Sequence, residues 1–170
     1  MNTFSEIAKI NFDEVVQNKI INENTLLKWV AVWRLKNKKI VFTNGCFDLL
    51  HRGHLHLLNS ARSLGDVLIV GLNTDASVSN IKPGRPVQDE QSRSLLMASL
   101  EVVDAVILFS EETPEELITR ILPDVLVKGA DYKLNDVAGR TAVELNGGRV
   151  EIVPLRQGYS TSSLIEKLKS

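Results

Sequence analysis

Hydrophobic and polar positions fall in blocks along the chain, and the blocks read alternately as strands and helices. Short apolar runs rich in β-branched residues occupy 40–43, 67–72, 105–109, 125–127 and 149–153, the pattern of strands covered on both faces. Between them apolar residues recur at helical spacing. Leu55, Leu58, Ala61 and Leu64 share one face. Leu95, Leu96 and Leu100 point inward from a helix over 91–100. Ile118, Ile121 and Leu122 follow the helix start at Thr113-Pro-Glu-Glu116, and Pro123 stops that helix. A helix over 137–146 and a last one carrying Leu164, Ile165 and Leu168 complete the series. Five strands alternating with helices predict an α/β fold, a Rossmann-like doubly wound five-stranded parallel sheet with helices on both faces.

Residues 1–39 read as a helical N-terminal extension, with the main α/β domain over 40–170. Ile7, Ile10, Val15 and Val16 are loosely periodic. Asn22-Glu-Asn-Thr25 caps a clearer helix with Leu26, Leu27, Val30 and Trp33 on one side. The apolar extension suits either packing on its own domain or a homodimer contact. Composition adds only exclusions. A net charge of -1 over 170 residues implies no broad basic surface, hence no nucleic-acid partner. No apolar run approaches the ~20 residues that span a bilayer, and no secretory signal opens the chain, so a cytoplasmic location without a membrane partner is expected. One cysteine, Cys46, excludes a disulfide framework and a cysteine-rich metal site. It reads as a small buried residue.

In such sheets ligands lie beyond the carboxyl ends of the strands, at the switch in strand order. The polar candidates fall there: Asn44, His51 and His54 after the first strand, Asn73 and Asp75 after the second, Lys128 and Asp131 after the fourth, Ser160 and Thr161 past the fifth. His51 and His54 lie three apart at a helix start, where unpaired N–H groups attract phosphate and Gly53 permits close approach. Lys82 and Arg85 sit in a turn-rich loop, and the hydroxyl-rich 160–163 opens a second helix. Three loops therefore offer groups able to clamp a triphosphate. No Walker loop and no G-x-G-x-x-G is present, which argues against a P-loop phosphotransferase and a dinucleotide dehydrogenase. Asp48 suits an acceptor contact, magnesium or a turn cap equally. Arg93 reads as structural, pairing with acids of its own helix such as Glu90, and Lys128 with Asp131 reads as nucleotide contact over a mutual ion pair.

The stretch Gly45-Cys-Phe-Asp-x-x-His-x-Gly-His54 resembles the signature of the nucleotidyltransferase superfamily that includes the cytidylyltransferases. The runs Val70-Gly-Leu-Asn-Thr-Asp-Ala-Ser77, Lys82-Pro-Gly-Arg-Pro-Val87, Leu126-Val-Lys-Gly-Ala-Asp-Tyr132 and Gly158-Tyr-Ser-Thr-Ser162 are similar to the adenylyltransferase domain of the ADP-heptose synthases. That resemblance implies transfer of the adenylyl group of ATP to D-glycero-β-D-manno-heptose 1-phosphate, for lipopolysaccharide core or another heptosylated glycan. It implies catalytic roles for His51, His54 and Lys82. Thr43, Asn44, Gly45, Phe47, Gly53, Lys128, Asp131, Ser160, Thr161 and Ser162 would bind ATP, with Asp48, Asn73, Asp75 and Arg85 toward the sugar phosphate. Magnesium is expected with ATP, held by phosphate oxygens and water and not by a cage of side chains. A kinase domain precedes this one in bifunctional members, so here a separate heptose kinase is expected. The rivals are a cytidylyltransferase acting on glycerol 3-phosphate or a similar small phosphate, and a nucleotide-binding module without turnover.

Overall fold

The structure, a computed structural model, describes residues 10–130, 133–154, 156 and 158–169; Ile7 and Asp131, both named above, lie outside them. Five parallel strands form one sheet: β1 (Ile40–Gly45), β2 (Val67–Asn73), β3 (Ala105–Phe109), β4 (Val125–Gly129) and β5 (Arg149–Val153), in the order β3-β2-β1-β4-β5. From β1 the chain moves outward to β2 and β3, then returns across the sheet to β4 and β5. The order therefore reverses between β1 and β4, and the crevice at their carboxyl ends is where a ligand fits.

Alternate strand residues feed two cores. On one face Ile40, Phe42, Ile69, Ile107 and Leu126 pack with Leu26 and Val30 of α2 (Glu23–Leu35), Ile118 and Ile121 of α6 (Glu115–Ile121), and Val143 of α7 (Arg140–Leu145). On the other, Val41, Leu68, Val70, Val106 and Val127 pack with Leu58 and Ala61 of α3 (Arg52–Arg62) and Met97 and Ala98 of α5 (Glu90–Ala98). Burial on both sides is why the strands read as unbroken apolar runs and not as alternating ones. The described part of the N-terminal segment is tied in as well. Asn22 caps α2 by accepting the Thr25 N–H, Ile20 bridges to Val106 beside β3, and the Lys19 ammonium donates to the Val103 carbonyl at 2.8 Å. The segment thus shields an edge strand that would otherwise offer unpaired backbone groups. A short helix, α1 (Phe12–Gln17), precedes it.

Three helical expectations are corrected. A helix not foreseen, α4 (Asp75–Ile81), follows β2, capped by the Thr74 hydroxyl accepting from the Ser77 N–H. The inward face of α5 carries Arg93, Ser94, Met97 and Ala98, whereas Leu96 is exposed. Leu96 turns outward while the Arg93 guanidinium is held inside by three oxygen acceptors, and Leu100 packs on the core as expected. The helix expected over 137–146 is shorter, α7 alone, beginning after Gly139 at φ 79°; a 3-10 turn at Leu134–Asp136 precedes it. The final helix is α8 (Thr161–Lys169).

Gly65, in the turn from α3 to β2, is a point of close approach. A Cβ there would lie 2.6 Å from Val41 Cγ2 and 2.7 Å from the Lys39 carbonyl oxygen, the oxygen that receives the Asp66 N–H at 2.8 Å. Backbone cannot yield as a side-chain tip can. Gly65→Ala should cost about 1–3 kcal/mol, and a thermal melt should drop by roughly 2–4 °C for each kcal/mol. An unchanged midpoint would show that the turn relaxes freely.

Candidate active site

The loop leaving β1 is held in an unusual conformation. Phe47 and Leu49 both have positive φ, 45° and 47°, a region that bulky residues enter only under constraint. Two constraints are visible. The Phe47 ring is buried with its edge on His54, centroids 5.3 Å apart. Asp48, between the two, is clasped from outside the loop. The kinks turn the chain so that His51 arrives as the N-cap of α3.

The His51 imidazole caps its own helix: Nδ1 accepts the N–H of Gly53 at 3.1 Å and of His54 at 3.4 Å. With Nδ1 an acceptor, the ring proton of the neutral form sits on Nε2, which remains able to donate. His54 stacks on His51, centroids 3.7 Å apart and planes 18° from parallel. Its Nδ1 is buried and has no hydrogen-bond partner among the described residues. Gly53 is needed at this point, since a Cβ would meet His51 Cε1 at 2.9 Å and the Tyr159 carbonyl oxygen at 3.4 Å. The expectation that Gly53 leaves room for phosphate is thus revised: the space it leaves is taken by the His51 ring.

Charge at the pair is set by environment. Burial, with the neighbouring His51 second, pushes the His54 imidazole down to about 3; the Asp48 carboxylate opposes this, and Lys82 and Arg85 reinforce it. Burial lowers His51 too. Both rings are therefore neutral donors near neutral pH before a ligand arrives. The same contributions place Lys82 and Arg85 within electrostatic reach of His54. Lys82 ends α4 as an exposed C-cap residue.

The groups expected to bind substrate are largely engaged in contacts within the protein. The Asp48 side chain is fully buried. Its Oδ2 accepts from Arg85 Nε at 2.6 Å and the Val87 N–H at 3.0 Å, and its Oδ1 from the Gln88 N–H at 3.1 Å. Burial alone would raise its pKa, but these donors outweigh burial and hold it below the ordinary aspartate value. The Asn73 amide donates to Ser77 Oγ at 3.0 Å. Asp75 pairs with Arg93 Nη2 at 2.6 Å. Arg93, 0% exposed, also donates to the carbonyls of Gln88 and Cys46. The expected pairing of Arg93 with Glu90 does not occur; Glu90 instead accepts the Asp75 N–H at 2.7 Å. Arg93 is the feature the sequence reading underrated. Its signal was present: position 93 shares the inward stripe of α5 with Met97, where an arginine must find buried acceptors.

The residues assigned to ATP divide similarly. The Thr43 hydroxyl ties β1 to β4 through the Val127 carbonyl at 3.0 Å, and Lys128 donates to the Asn44 side chain across the switch point. Ser160 Oγ caps α8 by accepting the Ser163 N–H at 3.1 Å, and the Thr161 hydroxyl donates to the Asp48 carbonyl at 2.8 Å. Ser162 is exposed on the first turn of α8. Arg52 at the start of α3 reaches Tyr159 just before α8, its guanidinium 5.8 Å from the ring centroid. The starts of α3 and α8 thus lie side by side. Among the described residues no three His, Cys, Asp or Glu side chains gather to hold a metal ion, and no helix is long and apolar enough to cross a membrane.

The depressed histidines make stability depend on pH in a defined direction. Between about pH 6.5 and 3 an unfolded imidazole takes up a proton that folded His54 refuses, so stability falls as the solution is acidified through that range. Asp48 acts in the same direction but at lower pH: its carboxylate is held below its unfolded value of 3.8, and that stabilisation is lost only as the pH falls below it. Above about pH 5 the histidines dominate. Melting should be lower near pH 5.5 than near pH 7.5, and His54→Gln should flatten the difference. An equal drop in the variant would place its origin elsewhere.

Comparison with known proteins agrees with this geometry. Residues 42–167 match the family described as cytidylyltransferase-like. A bifunctional protein HldE of Trichlorobacter lovleyi is 53% identical over 152 residues, covering 89% of this chain and 31% of that protein. The bifunctional protein HldE of Rhodospirillum rubrum is 50% identical over 165 residues, covering 95% of this chain and 33% of its own. The chain thus spans about a third of the length of these relatives. The crystal structure of a lipopolysaccharide core biosynthesis protein of Thermoplasma volcanium superposes with a TM-score of 0.59 at 32% identity, covering 72% of this chain and 99% of that one. With its paired histidines at the strand-to-helix turn and most of its length inside the family match, the chain belongs to the cytidylyltransferase-like family of nucleotidyltransferases.

Proposed function

We propose that the chain joins ATP to D-glycero-β-D-manno-heptose 1-phosphate, giving ADP-heptose and pyrophosphate in the cytoplasm. One observation carries the chemistry: two stacked, neutral imidazoles at the start of α3, with the start of α8 beside them and the Lys82 loop in electrostatic reach. The heptose assignment draws support from the HldE relatives and the lipopolysaccharide core protein. A sugar kinase would supply the phosphorylated acceptor.

The reaction is an in-line displacement. An oxygen of the sugar phosphate bonds to the α-phosphorus of ATP as the bond from that phosphorus to the β-phosphate bridging oxygen breaks, and pyrophosphate carries away the electron pair. A phosphate dianion attacks without a general base, so alignment and charge stabilisation are what the protein must provide. His51 and His54 donate to α- and β-phosphate oxygens, Lys82 spans nucleotide and acceptor, and the N–H groups opening α8 with the exposed Ser162 hydroxyl receive the β- and γ-phosphates. Magnesium would be held on the triphosphate: Asp48 and Asp75, the carboxylates nearest the loops, are already committed to arginines. Once bound, the ion neutralises phosphate charge.

The family match favours one second reading, cytidylyl transfer to glycerol 3-phosphate or a similar phosphate. Pyrophosphate release should be measured with ATP and CTP against heptose 1-phosphate and glycerol 3-phosphate. Turnover with ATP and the heptose phosphate alone is expected, and CTP with glycerol 3-phosphate would reverse the assignment. His54→Ala should lower kcat about 100-fold or more while ATP binding largely survives. Unchanged kcat would remove the histidine pair from the chemistry, and no turnover with any pair beside intact binding would favour a binding module.

A further inference from the structure

The clasp on Asp48 is more than a loop needs to stay folded. Three segments far apart in sequence meet at this one residue. Its carboxylate receives Arg85, Val87 and Gln88 of the basic loop. Its carbonyl receives the hydroxyl of Thr161, the first residue of α8. Its own two neighbours hold the positive-φ kinks that deliver His51 and His54. Every donor reaching the carboxylate comes from the segment that begins at Lys82, whose carbonyl accepts the Arg85 N–H at 3.0 Å to close the turn. A second layer repeats the connection: Arg93 joins the Gln88 carbonyl of that loop to the Cys46 carbonyl of the histidine loop.

From this convergence we infer that Asp48 is a positioning residue: it touches neither nucleotide nor acceptor, and holds Lys82 in register with the histidine pair by clamping residues 85–88 onto the histidine loop. This deepens the nucleotidyl-transfer reading and rests on it. The alternative of a contact between Asp48 and sugar or metal is disfavoured because both carboxylate oxygens are already occupied by donors and no part of the side chain is exposed.

The test joins kinetics to a readout that needs no activity. Asp48→Ala should lower kcat about as far as Lys82→Ala does. The two losses should not multiply: in the Lys82→Ala background Asp48→Ala should cost less than about 3-fold more, since residues acting as a unit are non-additive. Hydrogen exchange should show the amides of Val87 and Gln88 losing protection in Asp48→Ala while the strand amides keep theirs. Losses that multiply in full, or amides that stay protected, would overturn the positioning role. If Asp48→Ala does not fold, Arg85→Ala opens the clasp from the other side and should show the same non-additivity with Lys82→Ala. Wild-type protein inactive on every nucleotide and acceptor would sink the functional reading and leave the exchange result to judge the clasp alone.

Discussion

Two imidazoles stacked 3.7 Å apart cannot both be charged without strong repulsion, and the arrangement of the site follows from that limit. Burial keeps His54 neutral, and His51 spends its Nδ1 on the helix start, so on the proposed reading each ring would meet a ligand as a donor. On the proposed reading a phosphate would find these ring donors already in place, with little reorganisation to be made during the reaction. The stacked geometry depends in turn on Gly53, since any side chain there would displace the His51 ring.

Around this pair the charged residues serve mainly to hold backbone. Asp48 and Asp75 pair with Arg85 and Arg93 at 2.6 Å, and the partners are mostly buried. Removing one member of such a pair strands the other charge, so these contacts act as fixed joints between loops. They stiffen the region where the chain is otherwise irregular, which is how Phe47 and Leu49 can persist at positive φ.

The sheet was legible because its strands are covered on both faces and their apolar runs have no competing explanation. Helices were legible where an apolar stripe met a cap, as in α2, and lost where packing did not dictate the pattern. The seven-residue α4 has no such stripe, though Thr74 followed three residues later by Ser77 is a cap in plain sight. In α5 the expected leucine face gave way to Arg93, whose acceptors come from three other segments. The histidine pair could be read from spacing alone, since three residues along a helix is a local relation. The joints could not: Asp48 and Arg85 are 37 positions apart, and Asp75 and Arg93 are 18 apart. One sequence carries no record of which distant acid meets which base, so the pairing of Asp48 with Arg85 and of Asp75 with Arg93 had to come from the fold.

That division of labour suits a displacement that needs no base. Negative charge shifts toward the bridging oxygen of the leaving pyrophosphate as its bond to the α-phosphorus stretches, and the useful donor is one whose grip strengthens in step. A permanent cation would hold bound ATP almost as firmly as the stretched state, and uniform binding of that kind does not speed the chemistry. A buried imidazole with its pKa depressed to about 3 behaves differently. Each increment of negative charge beside such a ring raises its proton affinity, so on the proposed reading its hydrogen bond to phosphate would gain most where the charge is greatest. The arginines are locked into the framework. Lys82, exposed at the end of α4, would on the same reading suit the acceptor phosphate as a long flexible cation.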